Sequence, residues 1–243
     1  MTTAIRAPFF EIGPKTFLER ADLLELVDAS TAASNRYDVA VIITPPALDI
    51  EVVKDAGPDL WVFAQAMDTA PPGRSTGAIL PEALKAVGAD GVMLNHAERS
   101  LEESVLQHAI DRAHEAELLA LVCAEDAEHA ARYAAWGADM ILLEPHELIG
   151  ITGNDHRPWI PDVNEAVDRV NPNVLVMHSG GIADEQDVRS VFAQGAAGTG
   201  STTAIIQAAD RGDMATRMIA AARQGWSDRA SQPVPSSSLE KGN

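Results

Sequence analysis

Cysteine and long apolar runs are scarce in this chain of 243 residues. Its single cysteine, Cys123, excludes a disulfide within the chain and is typical of a reducing compartment. No apolar run approaches the roughly 20 residues that a membrane-spanning helix requires. The N-terminus also lacks the apolar core of a signal peptide. We therefore expect a cytoplasmic protein that has no membrane partner.

Positive charge is also scarce, because 18 lysines and arginines stand against 36 acidic residues. The resulting net charge of −18 argues against binding to nucleic acid or to an anionic membrane surface. An anionic small molecule would have to bind at a site that is locally attractive to anions despite the negative potential of the whole molecule. Such a site would consist of backbone N–H groups and very few cations.

Short apolar runs of strand length alternate with longer segments of helical period along the whole chain. We predict strands near Phe9–Ile12, Val39–Ile43, Trp61–Ala64, Gly91–Asn95, Leu118–Cys123, Met140–Glu144, Val174–His178 and Ala197–Ser201. We predict helices near Phe17–Ser34, Ile50–Asp55, Pro81–Val87, Leu101–Ala116, Ala127–Ala135, Val163–Val170, Glu185–Gln194 and Thr203–Ala222. This alternation indicates βαβ units with a parallel sheet.

Eight such units predict a (β/α)₈ barrel, a single domain of the α/β class over residues 1–226. An open, doubly wound sheet is the alternative, but no Gly-x-Gly-x-x-Gly turn follows the first strand. Residues 227–243 contain Gln-Pro-Val-Pro and a run of three serines, a composition that predicts a flexible tail.

In a barrel of this kind the active site lies at the C-terminal ends of the strands. Met140–Leu143 is apolar throughout, as expected for a strand buried on both sides, and it ends at a carboxylate, Glu144. That position suits a general base, although a carboxylate that simply terminates the strand is the alternative. The other polar side chains near predicted strand ends are Lys15, His96, Glu98 and His178. The first three, together with Glu144, predict a site for proton transfer on an anionic ligand, whereas His178 either faces the rim or packs behind it.

Three segments resemble the triosephosphate isomerase family, especially its shorter archaeal-type branch. Leu94–Arg99, read as LNHAER, resembles the family motif around the electrophilic histidine. Glu144–Gly150, read as EPHELIG, resembles the catalytic base and the start of its hinged lid. Phe63–Gln65 together with Gly73–Gly77 resembles the third-strand segment, which contributes to dimer contacts in that family. The match runs in order over nearly all of residues 8–224.

The resemblance implies an aldose–ketose isomerase that needs neither a cofactor nor a metal. It implies that Glu144 is the base, that His96 is the neutral electrophile and that Lys15 is the cation beside the substrate. Glu98 would support this trio. A phosphate would bind to backbone N–H groups at Gly150, Gly180, Gly181, Thr202 and Thr203. The expected reaction interconverts glyceraldehyde 3-phosphate and dihydroxyacetone phosphate through an enediolate, in a homo-oligomer that is a dimer or a tetramer.

Several residues depart from the family pattern around the pocket. Gly13 stands where a side-chain amide is expected, Ala97 replaces a serine, and Ser179 replaces a glycine. Thr202-Thr203 occupies the position of smaller residues. Two alternatives therefore stay open: an isomerase of another short sugar phosphate such as erythrulose phosphate, and a non-catalytic homologue that binds a phosphorylated metabolite. A third alternative is a lyase that forms a Schiff base through Lys15, the only lysine at a predicted strand end.

Overall fold

The computed structural model describes residues 5–145 and 157–230. The strands in this part of the chain are parallel and close into one barrel, in which β8 pairs with β1. They are β1 (Phe9–Ile12), β2 (Ala40–Ile43), β3 (Trp61–Ala64), β4 (Gly91–Leu94), β5 (Leu119–Ala124), β6 (Met140–Leu143), β7 (Leu175–His178) and β8 (Gly198–Ser201). The predicted eight-stranded barrel is confirmed, and the open sheet is excluded.

Helices follow the strands and cover the outside of the barrel. They are α1 (Arg20–Tyr37), α2 (Ile50–Ala56), α3 (Pro81–Ala86), α4 (Glu103–Glu115), α5 (Ala127–Ala135), α6 (Trp159–Val170), α7 (Glu185–Ala193), α8 (Thr203–Ile206) and α9 (Arg211–Ala230). Helix α6 begins earlier than predicted because Pro161 lies in its first turn, where a backbone N–H has no partner within the helix.

The predicted last helix is two helices, α8 and α9. The break is stabilised at Asp210, whose side chain accepts a hydrogen bond of 2.8 Å from the backbone N–H of Asp213. Aspartate is favoured at this capping position, and it starts a new helix. Helix α9 packs against α1 and α7 and continues to Ala230, past the domain boundary that we predict at residue 226. The rest of the predicted tail lies outside the described residues.

Apolar side chains on β1 to β7 alternate between two layers. On β1, Phe9 lies inside the barrel, whereas Phe10 and Ile12 pack between the barrel and the helices. On β6, Met140 and Leu142 face the barrel interior. This two-residue period determines which residues beyond each strand face the central cavity.

One further result concerns membranes. Within residues 5–145 and 157–230, no helix is both long and apolar enough to cross a bilayer.

His178, the last residue of β7, points away from the barrel interior and is fully buried. Its Nε2 lies 2.9 Å from Oδ1 of Asn164 on α6, and Nδ2 of Asn164 donates in turn to the carbonyl of Gly195 at 3.0 Å. Burial, reinforced by the charge of Arg157, lowers the pKa of His178 from 6.5 to about 3. The side chain therefore packs behind the rim as a neutral imidazole that joins β7 to α6.

This buried histidine predicts acid sensitivity. Below pH 6.5 the unfolded chain binds a proton at His178 that the folded chain excludes, so folding stability is lost as the pH falls. Between pH 7 and pH 4 we expect this group to remove about 3 kcal/mol. Urea unfolding of the wild type and of His178→Gln at both pH values measures the effect. An equal loss of stability in both proteins would contradict the assignment.

Candidate active site

A cavity of about 290 Å³ lies at the C-terminal ends of the strands. The predicted site residues that line it are Lys15, His96, Glu98, Glu144, Gly180, Gly181, Thr202 and Thr203. Gly150 lies outside the described residues. The tertiary structure therefore brings together, at one rim, residues that are as far apart in the sequence as Lys15 and Thr203.

Glu144 and His96 face each other across this cavity. Glu144 follows β6 on the same side as Met140 and Leu142, and its backbone N–H donates to the carbonyl of Ala124 at 3.1 Å. Its Oε2 is 4.0 Å from Nε2 of His96, which is too long for a hydrogen bond. Both side chains are mostly buried, with 19% and 16% of their surface exposed. A carboxylate and an imidazole thus lie close together in a pocket that is largely shielded from solvent.

The backbone around His96 determines which nitrogen of its ring donates. His96 caps the 3₁₀ turn Ala97–Arg99, and its Nδ1 accepts a hydrogen bond of 3.1 Å from the backbone N–H of Glu98. A nitrogen that accepts this bond carries no proton, so the proton of the neutral ring is on Nε2. That N–H is the one on the side of Glu144.

Lys15 is held in a strained turn directly after β1. Its φ of 45° lies in the left-handed region, which is uncommon for a residue with a side chain. Its carbonyl accepts a hydrogen bond of 3.0 Å from Nε2 of Gln65, and the same amide donates to the carbonyl of Thr44 at 2.9 Å. Its Nζ donates to Oε1 of Glu98 at 2.7 Å, and this hydrogen bond lowers the pKa of Glu98. Glu98 therefore contacts both the lysine and, through its backbone, the histidine.

Two backbone turns form the opposite wall of the cavity. Gly180 and Gly181 follow β7 with φ values of 90° and 71°, which glycine adopts readily. Arg157 is fully buried behind them, and its Nη2 donates to the carbonyl of Gly180 at 3.0 Å. Thr202 and Thr203 line the cavity at the start of α8. Turns of this kind present backbone N–H groups to an anion such as a phosphate.

Glu11 is a cavity residue that our sequence analysis missed. It lies within β1 and is only 6% exposed, and its Oε1 accepts a hydrogen bond of 2.6 Å from Oγ1 of Thr44. Burial raises the pKa of Glu11 from 4.5 to about 7, and the nearby Glu144 adds to the increase. The available signal was a carboxylate inside an apolar four-residue strand, two residues from the inward-facing Phe9. Arg157 carried no comparable signal in the sequence.

Comparison with protein families gives one match that covers most of the chain. The family model for triosephosphate isomerase matches residues 12–220. Residues 12–220 include every predicted site residue.

Archaeal proteins named triosephosphate isomerase are similar to this chain over most of their length. The protein from Methanopyrus kandleri is 34% identical over 213 residues, which cover 85% of this chain and 94% of the relative. The protein from Methanothermus fervidus is 30% identical over 209 residues, which cover 84% of this chain and 94% of the relative. The crystal structure of triosephosphate isomerase from Bartonella henselae has a TM-score of 0.73 and covers 90% of this chain and 100% of its own. At 17% identity, this structure supports the fold alone.

Glu11 predicts a second dependence of stability on pH. Its raised pKa means that the folded chain keeps a proton that the unfolded chain releases above pH 4.5, so stability is lost as the pH rises towards 7. Glu11→Gln removes this penalty. We expect the unfolding free energy of the variant to gain roughly 2–3 kcal/mol on the wild type between pH 5 and pH 8. Urea unfolding at the two pH values tests this, and a constant difference between the proteins would contradict it.

Proposed function

The chain belongs to the triosephosphate isomerase family and is an isomerase, and we propose that it interconverts the aldose and ketose forms of a short sugar phosphate. The first substrates to test are glyceraldehyde 3-phosphate and dihydroxyacetone phosphate, because the archaeal relatives carry the name of that reaction. The observation that carries the proposal is the meeting of Glu144 with the protonated nitrogen of His96 inside one cavity.

In the proposed reaction, Glu144 removes a proton from the carbon beside the substrate carbonyl. The N–H at Nε2 of His96 donates to the oxygen on which negative charge develops, which stabilises the enediolate. A proton passes from one oxygen of the enediolate to the other, and Glu144 returns its proton to the neighbouring carbon, so that the aldose becomes a ketose. This pairing of a glutamate base with a neutral histidine is the established chemistry of triosephosphate isomerases.

Lys15 and the backbone turns bind the substrate in this proposal. The ammonium group of Lys15, held by Glu98, lies at the same cavity as the two catalytic side chains and attracts the anionic substrate. The turns at Gly180-Gly181 and Thr202-Thr203 receive the phosphate, as we also propose for Gly150. Glu98 acts as a positioning residue through its contacts with Lys15 and His96.

The lyase alternative receives less support from this geometry. A lysine forms a Schiff base through its neutral amine, which must be free to attack a carbonyl. Nζ of Lys15 instead donates to a carboxylate oxygen at 2.7 Å, an arrangement that suits a positive charge. Borohydride treatment in the presence of substrate would trap a Schiff base if the lyase mechanism operated.

The proposed roles predict large losses of rate in two variants. Glu144→Gln keeps the size of the side chain but removes the base, so we expect kcat to fall by about 10³-fold. For His96→Gln we expect a decrease on the order of 10²-fold, because one stabilising donor is displaced. A coupled assay of both triose phosphates measures these changes, with thermal unfolding as a check on the fold.

The matched control is Glu51→Gln, which changes an exposed carboxylate on the outer side of the barrel in α2. It should keep the wild-type rate. Full turnover in both active-site variants would refute the assigned roles. Absence of turnover in the wild type with any sugar phosphate would instead support the non-catalytic alternative.

We also propose a homo-oligomer, a dimer or a tetramer. Phe17 and Leu48 lie in the segments after β1 and β2, and 68% and 88% of their surfaces are exposed. The backbone N–H of Asp68 donates to the carbonyl of Ile79, and the backbone N–H of Ile79 donates to Oδ2 of the Asp68 side chain, each at 2.8 Å. These two hydrogen bonds close the base of a loop containing Gly73 and Gly77. Large apolar side chains that are this exposed are typical of an interface between copies of a chain.

The oligomer proposal predicts that the double variant Phe17→Asp, Leu48→Asp has a lower molecular mass in solution than the wild type. Buried charges without partners would weaken the interface. Size-exclusion chromatography with light scattering measures both masses. A monomeric wild type at micromolar concentration would show that these side chains do not form such an interface.

A further inference from the structure

Glu11 reaches the cavity from the interior of the barrel. It shares the inward side of β1 with Phe9, whose ring belongs to the inner apolar layer. It is 6% exposed, and it lines the cavity together with Lys15 and Glu144. A carboxyl group therefore lies in the floor of the site, directly above apolar side chains.

Only one of the two carboxyl oxygens of Glu11 has a hydrogen-bond partner. Oε1 accepts from Thr44, whereas Oε2 makes no hydrogen bond with any residue of 5–145 or 157–230. Oε2 is not among the fully buried atoms that lack a partner, and Glu11 lines the cavity, so water or a bound ligand can reach this oxygen. The missing partner of Oε2 must come from the cavity.

Two glycines leave room for this carboxyl group. A Cβ on Gly200 would lie 2.7 Å from Oε2, and a Cβ on Gly13 would lie 3.1 Å from Oε1. A side chain at position 200 would force the carboxyl group or the backbone of Glu11 to move, whereas one at position 13 would press on the carboxyl group and on Oγ1 of Thr202. Gly13 is also the position at which the family pattern has a side-chain amide, so the carboxyl group of Glu11 occupies the region into which such a side chain would begin to extend.

The proposed reaction makes no use of Glu11. His96 and Lys15 account for the oxygens of the two reacting carbons, Glu144 accounts for the transferred proton, and the turns account for the phosphate. These groups include every oxygen of a triose phosphate. The carboxyl group of Glu11 is then the hydrogen-bonding group of the cavity that has no partner on a triose phosphate. Its presence indicates a substrate with a further hydroxyl.

The protonation state of Glu11 suits such a partner. With a pKa of about 7, the carboxyl group is largely neutral in mildly acidic solution and partly neutral at physiological pH. A neutral carboxyl group both donates and accepts hydrogen bonds, as a hydroxyl does. It also adds no full negative charge beside the phosphate of the substrate.

We propose that Glu11 is a substrate-binding residue that hydrogen-bonds a hydroxyl present in sugar phosphates of four or more carbons and absent from triose phosphates. This inference rests on the proposed isomerase function and specifies its substrate class. A site with a polar group placed to hydrogen-bond a substrate hydroxyl binds an analogue that lacks this hydroxyl less tightly. The preferred substrate is accordingly longer than a triose phosphate.

Binding of unreactive polyol phosphates tests the inference without catalysis. Glycerol 3-phosphate has three carbons, whereas erythritol 4-phosphate and threitol 4-phosphate add one hydroxyl in either configuration. By titration calorimetry, we expect the wild type to bind one of the four-carbon compounds at least about 10-fold more tightly than glycerol 3-phosphate. In Glu11→Ala and in the volume-filling Glu11→Leu this preference should disappear, and in Glu11→Gln, which keeps a donor and an acceptor, most of it should remain.

Cys123→Ala is the matched control, because Cys123 also lies in the inner layer and is nearly buried. It should keep the wild-type preference. Equal affinities of the wild type for three-carbon and four-carbon compounds would overturn the inference, as would an unchanged preference in Glu11→Ala or Glu11→Leu.

Kinetics separates this inference from the proposed function. We expect kcat/KM of the wild type to be higher for a tetrose phosphate than for the triose phosphates, and Glu11→Leu to lower it by about 10–100-fold for the tetrose phosphate alone. Turnover of triose phosphates with an equal loss for both substrates would overturn the role of Glu11 and leave the isomerase proposal intact. Lack of turnover with every sugar phosphate would overturn the isomerase proposal, and the binding preference would still decide the role of Glu11.

Discussion

The site depends on the alternation of side chains along strands that are closed into a barrel. On β6, Met140 and Leu142 face inward, and the next residue with this orientation is Glu144, just beyond the strand. On β1, Phe9 and Glu11 face inward in the same way. A shift of either strand by one residue would turn its carboxylate towards the helices, where Ile141 or Phe10 now packs. The buried apolar layers on both sides of the strands oppose such a shift. The core that stabilises the barrel therefore also orients Glu11 and Glu144 towards the cavity.

The cavity has to attract an anion although the molecule as a whole is strongly negative. The net charge is −18, yet a phosphate is expected to bind. Among the described residues that line the cavity, the cations are Lys15 and Arg99, and each contacts a carboxylate, Glu98 for the first and Asp68 for the second. Backbone turns therefore contribute much of the attraction for an anion. Burial also keeps Glu11 largely neutral at mildly acidic pH, which limits the repulsion that a second ionised carboxylate beside Glu144 would cause.

Family membership and substrate choice have different physical origins in this protein. The barrel and the sequence match cover most of the chain, and they concern strands, helices and the residues at strand ends. The floor of the cavity, in contrast, depends on two glycines within the barrel. Gly13 and Gly200 leave space that the carboxyl group of Glu11 occupies. A fold supports many substrates, and specificity lies in a few groups that contact them. The isomerase chemistry and the choice of sugar phosphate are therefore open to separate tests.

The sequence by itself determined the barrel, the order of its elements and the rim at which Lys15, His96, Glu98 and Glu144 meet. These features follow from local period and from the rule that parallel strands end at one face. The tertiary structure alone decided that Glu11 pairs with Thr44, which directly follows the neighbouring strand β2, and that His178 is buried against α6. It also decided that Arg157 donates to the carbonyl of Gly180. Those outcomes depend on distances between segments that are remote in the chain, and local sequence carries no information about such distances until the barrel closes.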